Sequence, residues 1–135
     1  VADCREGRED AKPMGKTVLL IEDEPNIIEA IRFLLKREGW KVYTTSDGSI
    51  AVQEVRQRQP NLVILDVMLP GKSGYDILRE LRQEFSADVL PVLMLTARGQ
   101  SKDRDIATQA GVSRFMTKPF SNSEMIEAVR ALSEK

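Results

Sequence analysis

Histidine is absent from this chain of 135 residues, and cysteine occurs once. The first absence removes Ser-His-Asp and Cys-His nucleophile pairs, histidine zinc ligands and any phosphohistidine formed within the segment. Cys4 stands alone, so neither a disulfide framework nor a thiolate metal cluster can form within it. A cytoplasmic setting is the expectation that follows. Long apolar runs are missing too: 18–21 and 62–65 fall far short of the ~20 residues of a membrane span. Nothing at the N-terminus resembles a secretory signal. Charge of one sign is also lacking, since 20 Lys and Arg against 21 Asp and Glu leave a net charge of -1. With both signs interleaved there is no basic face for a phosphate backbone, and no direct nucleic-acid binding is expected of this segment.

What is present has the balance of one globular domain, 41% hydrophobic against 30% charged. Residues 1–15 mix both charges without periodicity and are expected to be a flexible leader or a tail foreign to the natural chain, with Met14 as an alternative start. Residues 16–135 form the domain. From Thr17 onward, short β-rich apolar runs alternate with amphipathic stretches, the pattern of repeated β-α units and of a parallel sheet covered on both faces. Strands are expected at 17–21, 42–45, 62–65, 92–95 and 114–117, and their solid apolarity suits double-sided burial. Helices are expected at 25–38, 49–58, 74–83, 102–109 and 122–133. The first opens on Pro25 and stops at Gly39, and the last begins with a capping box formed by Ser121 and Glu124.

In an open parallel α/β sheet, sites form beyond the carboxyl ends of the strands. Glu22, Asp23 and Glu24 follow the first strand, Asp66 the third, Thr96 and Ala97 the fourth, Lys118 and Pro119 the fifth. The carboxylates of Glu22, Asp23 and Asp66 would repel one another unless a cation or a proton intervenes. An oxygen-only ligand set with no imidazole or thiolate favours a hard divalent ion, and Mg2+ fits. Lys118 offers a mobile positive charge and Thr96 a hydroxyl, both suited to the oxygens of a phosphoryl group. The inventory is that of phosphoryl transfer onto a carboxylate, with Asp66 as acceptor.

These residues together resemble the receiver domain of two-component response regulators. The acidic pair is Glu22-Asp23, the phosphoacceptor Asp66, the hydroxyl Thr96, the switch aromatic Phe115 and the lysine motif Lys118-Pro119-Phe120, over residues 16 to 135. The resemblance implies a flavodoxin-like sheet of five parallel strands in the order 2-1-3-4-5 with helices on both faces. It implies that Mg2+ is held by Glu22, Asp23, Asp66 and the backbone carbonyl of Met68, with Glu22 acting partly through water, and that Lys118-Pro119 is cis. It further implies a sensor histidine kinase or histidine phosphotransfer protein as donor. The segment would then be a signalling domain whose only chemistry is its own phosphorylation and dephosphorylation. Thr96 and Phe115 would switch a surface of the fourth helix, fifth strand and fifth helix, where a second receiver can dock. Glu22 stands where Asp is frequent, and Phe115 where Tyr is frequent; Phe115 has no hydroxyl to donate.

Blander and rival readings exist for each piece. The acidic run can serve as a helix N-terminal cap, with Glu24 purely structural. Asp66 alone suits a turn, Lys118 alone a solvated surface, Thr96 a cap and Phe115 the core. Gly71-Lys72-Ser73 resembles the end of a P-loop, but Asp66 occupies its first glycine position and Pro70 removes a donor. Gly15-Lys16-Thr17 precedes its strand and has Asp10 at that position. A haloacid-dehalogenase-type phosphatase needs a second Asp where Met68 stands. A pseudo-receiver would lack one of the pocket residues.

Overall fold

A computed structural model describes residues 16–97 and 101–133. The expected leader at 1–15, and residues 98–100 and 134–135, lie outside the described residues. Strand and helix alternate through β1 (Thr17–Ile21), α1 (Pro25–Arg37), β2 (Lys41–Thr45), α2 (Ala51–Arg58), β3 (Leu62–Asp66), α3 (Gly74–Glu84), β4 (Val92–Thr96), α4 (Ser101–Ala110), β5 (Arg114–Thr117) and α5 (Asn122–Ser133). Every expected element is present. α1 carries Ile31, Leu34 and Leu35 on its buried face and starts with Pro25 in its first turn. The capping box of α5 forms as expected: Ser121 N donates to Glu124 Oε1 at 2.7 Å, and Glu124 N to Ser121 Oγ at 3.1 Å.

Several boundaries differ from expectation by one or two residues, and at α2, β3 and β4 the difference has a physical reason. The helix expected at 49–58 opens as a 3-10 turn, Gly48–Ile50, before α2 begins. There Asp47 Oδ1 accepts from Ser49 N at 2.9 Å and Ser49 Oγ at 2.7 Å, local bonds that compete with α-helical ones. Asp66 and Thr96 do not follow their strands but end them, since Asp66 is in register with Leu95 and Thr96 with Thr117. Both site residues therefore stand on the sheet itself, not on loops.

All pairings are parallel, in the order β2-β1-β3-β4-β5. Successive strand residues point to opposite faces, which divides the core in two. Val18, Leu20, Leu62, Ile64, Leu93 and Leu95 pack with α1 and α5. Leu19, Ile21, Val63, Leu65, Val92 and Met94 pack with α2, α3 and α4. Each such side chain contributes about 1.5–3 kcal/mol by leaving water. β3 and β4 are buried at every residue, whereas the edge strands β2 and β5 are mostly half-buried. Among the described residues no helix is long and apolar enough to cross a membrane.

Candidate functional site

The carboxyl ends of β1, β3 and β5 bring the expected pocket together. Asp66 ends β3 at 3% exposure, and Glu22, just past β1, is fully buried. Carboxylate oxygens of Glu22, Asp23 and Asp66 lie within 4.8 Å of one another. Burial of such groups is costly unless each finds a partner. Glu22 Oε2 accepts from the backbone N–H groups of Asp23 and Glu24, both at 3.2 Å. Lys118 supplies the countercharge, with Nζ 3.1 Å from Glu22 Oε1, 3.2 Å from Asp66 Oδ1 and 3.2 Å from Glu24 Oε1. Its approach to Glu22 Oε1 lacks hydrogen-bond alignment, so that buried oxygen has no hydrogen-bond donor.

The backbone positions Lys118 firmly. Its N–H donates to the Thr96 carbonyl at 2.7 Å, and its bond to Pro119 is cis, as the resemblance implied. Burial, reinforced by the nearby Asp66 charge, pushes the Glu22 carboxyl above its usual range. Burial likewise raises that of Asp66, against the opposing effect of Lys118. Burial alone would lower the Lys118 ammonium, but Asp66 and Glu22 outweigh it and raise it. At Glu22 and Asp66 burial thus outweighs the countercharge that Lys118 supplies. Three convergent oxygen ligands, one of them an orphaned buried oxygen, fit a hard divalent cation.

Thr96 is 4% exposed. With Val67, Met68, Tyr75, Ala97 and Asp103 it lines a cleft of about 350 Å3 between the ends of β3 and β4. The Met68 side chain is 73% exposed. Phe115 lies apart from the pocket on β5, in register with Met94. It is half-buried, and the Arg104 guanidinium carbon stands 5.6 Å from its ring centroid.

Glu24 departs from the blander reading. It occupies the N-cap position of α1 but makes no side-chain cap bond, and its carboxylate turns to Lys118 instead. The Lys118 ammonium is stronger attraction than one backbone N–H. Sequence reasoning passed over this role; the signal available was a third acid beside the pair. The P-loop rival finds no support: Ser73 Oγ caps α3 by accepting from Asp76 N at 3.2 Å, and Lys72 is paired with Glu80.

Residues 18–130 match the family model of the response regulator receiver domain. The protein named probable transcriptional regulatory protein TcrX of Mycobacterium tuberculosis is 44% identical over 125 residues, which cover 93% of this chain and 52% of that protein. The chain therefore spans about half the length of that curated relative. Among solved structures, the receiver domain of the sensor histidine kinase PA1611 of Pseudomonas aeruginosa superposes with a TM-score of 0.80 at 28% identity, covering 89% of this chain and 98% of that one. Its structure holds a magnesium ion coordinated in the active site cleft. The BeF3-activated N-terminal receiver domain of Klebsiella pneumoniae RstA, 24% identical, gives a TM-score of 0.83 over 89% of this chain and 100% of that one, a likeness of fold.

Proposed function

This chain belongs to the response regulator receiver domain family, and from that membership we propose that it accepts a phosphoryl group on Asp66 from a phosphohistidine of a sensor histidine kinase or histidine phosphotransfer protein. The observation that carries this reading is the nearly buried Asp66 carboxylate within reach of Lys118 and of two further acids. Because the segment has no His, the donor is a separate group. An Asp66 oxygen forms the new bond to phosphorus as the P–N bond of the donor breaks, and its electron pair returns to the imidazole.

Glu22, Asp23, Asp66 and the Met68 carbonyl would hold Mg2+, which supplies charge neutralisation for the phosphoryl oxygens. Lys118 neutralises a further oxygen and stays oriented through its backbone bond to Thr96. Thr96 offers its hydroxyl to the phosphoryl group. Drawing Thr96 inward opens space into which Phe115 can move, so that α4, β5 and α5 present a changed docking face. Arg104, Arg114 and Glu127 give that face both signs of charge, suited to a protein partner or a second receiver. The chemistry is limited to self-catalysed transfer and autodephosphorylation; the output is signalling.

Incubation with acetyl phosphate followed by intact-mass measurement tests the assignment. One phosphoryl group per chain is expected with Mg2+, and none in EDTA or in Asp66→Asn. Phosphorylation retained in either case overturns it. Backbone NMR with beryllofluoride, a phosphoryl mimic, tests the switch: shifts confined to the pocket, with Thr96, Phe115 and the α4–β5–α5 face unmoved, would remove that half of the reading.

A further inference from the structure

The loop between β2 and α2 and the loop between β3 and α3 meet backbone to backbone. Gly48 N–H donates to the Pro70 carbonyl at 3.1 Å. A Cβ at Gly48 would lie 2.5 Å from the Lys72 carbonyl oxygen. From the other side, Gly71 has a φ of +88°, and a Cβ there would lie 3.0 Å from Asp47 Oδ1 and 3.3 Å from Ser49 N. Neither loop has room for a side chain at the contact, and glycine alone satisfies both demands.

Met68 lies between this contact and the sheet. On its upstream side Val67 is fixed twice, donating its N–H to Leu95 O at 3.0 Å and accepting from Gly74 N at 2.8 Å. Downstream, the Pro70 carbonyl is held by Gly48, and proline confines Leu69 to extended backbone. The Met68 side chain is 73% exposed and anchors nothing. Its peptide units are therefore oriented by their flanks. The upstream flank belongs to the sheet and α3, while the downstream flank depends on a loop from elsewhere in the chain.

Resting on the reading of this pocket as a Mg2+-dependent phosphoacceptor, we propose that the Gly48–Pro70 contact is a positioning device that fixes the Met68 backbone at the pocket and so sets Mg2+ affinity. Gly48 touches no phosphoryl group and no metal; it acts through residue 68. Groups that orient metal ligands typically contribute about 10–100-fold in affinity.

The experiment is calorimetric titration of the full chain with MgCl2, comparing wild type, Gly48→Ala and Gly39→Ala. Gly39 also has a positive φ, +93°, but sits between α1 and β2, at the other end of β2 from Gly48, so its alanine variant controls for general destabilisation. About tenfold or greater weakening is expected in Gly48→Ala, with Gly39→Ala unchanged. Wild-type affinity in folded Gly48→Ala, or equal weakening in Gly39→Ala, overturns the proposal. Should Gly48→Ala not fold, the exposed Asp47→Ala decides in its place: weakened binding supports the contact and wild-type binding overturns it. Absence of Mg2+ binding in wild type overturns the reading of the pocket itself, a result distinct from the others.

Discussion

β3 and β5 each deliver one half of the central charge pair, Asp66 and Lys118, yet they are built differently. All five residues of β3 are buried and it is bonded to a strand on each side, whereas β5 buries one residue of four and has one neighbour. On β3 any shift of Asp66 disturbs both core clusters. On β5 a shift disturbs one ladder and a half-covered ring. Asp66, the proposed acceptor, thus sits where geometry is stiff, as does Thr96 on the buried β4, whereas Phe115, the proposed switch aromatic, sits where displacement costs less.

Leu65→Ala sharpens this contrast most, because it empties a fully buried site and is expected to lower stability by about 2–5 kcal/mol in urea unfolding. Phe115→Ala on the edge strand should lower it by about 1 kcal/mol, the Arg104 stacking included. Equal losses at the two positions would break the comparison. A pH effect comes next. Glu22 and Asp66 bind protons more tightly in the fold than in the open chain, so their contribution is complete below the ordinary carboxylate range and is lost as pH rises through their raised values. Lys118, also raised, loses its contribution only above the ordinary lysine range. In EDTA, the stability of wild type relative to Asp66→Asn should therefore fall from mild acid toward neutrality, and Mg2+ should flatten that slope. A difference that grows with pH in EDTA would refute it. The smallest effect belongs to Glu24→Gln: its carboxylate is largely exposed, and stability should change by about 0–1 kcal/mol, with a measurable change in the acetyl phosphate reaction rate as Lys118 loses one partner.

The strands were legible because burial on both faces forces short, uninterrupted apolar runs, and the site was legible because its residues end those runs. Asp66 and Thr96 could be found without knowing that they belong to the strands themselves. Where the sequence fell short, the contacts are distant along the chain. The Gly48–Pro70 bond and the turn of Glu24 toward Lys118 leave no local periodicity. The 3-10 turn at Gly48–Ile50 was missed because Ser49 continues the helical pattern while Asp47 captures its N–H.

The same invisibility holds for the half-buried side chain of Arg82. Its Nε donates to Gly111 O at 2.7 Å, NH1 to Leu90 O at 2.8 Å and NH2 to Ser113 Oγ at 3.2 Å, and Ser113 Oγ in turn accepts from Val92 N at 3.0 Å. These bonds tie the amino ends of β4 and β5 together, at the end of the strands opposite the Asp66 pocket. In mechanical terms Arg82 is a clamp: one planar side chain ties two strand starts to the end of α3. At the pocket end the Lys118 N–H donates to Thr96 O at 2.7 Å, so the two strands are pinned at both ends and cannot part without breaking one set of bonds.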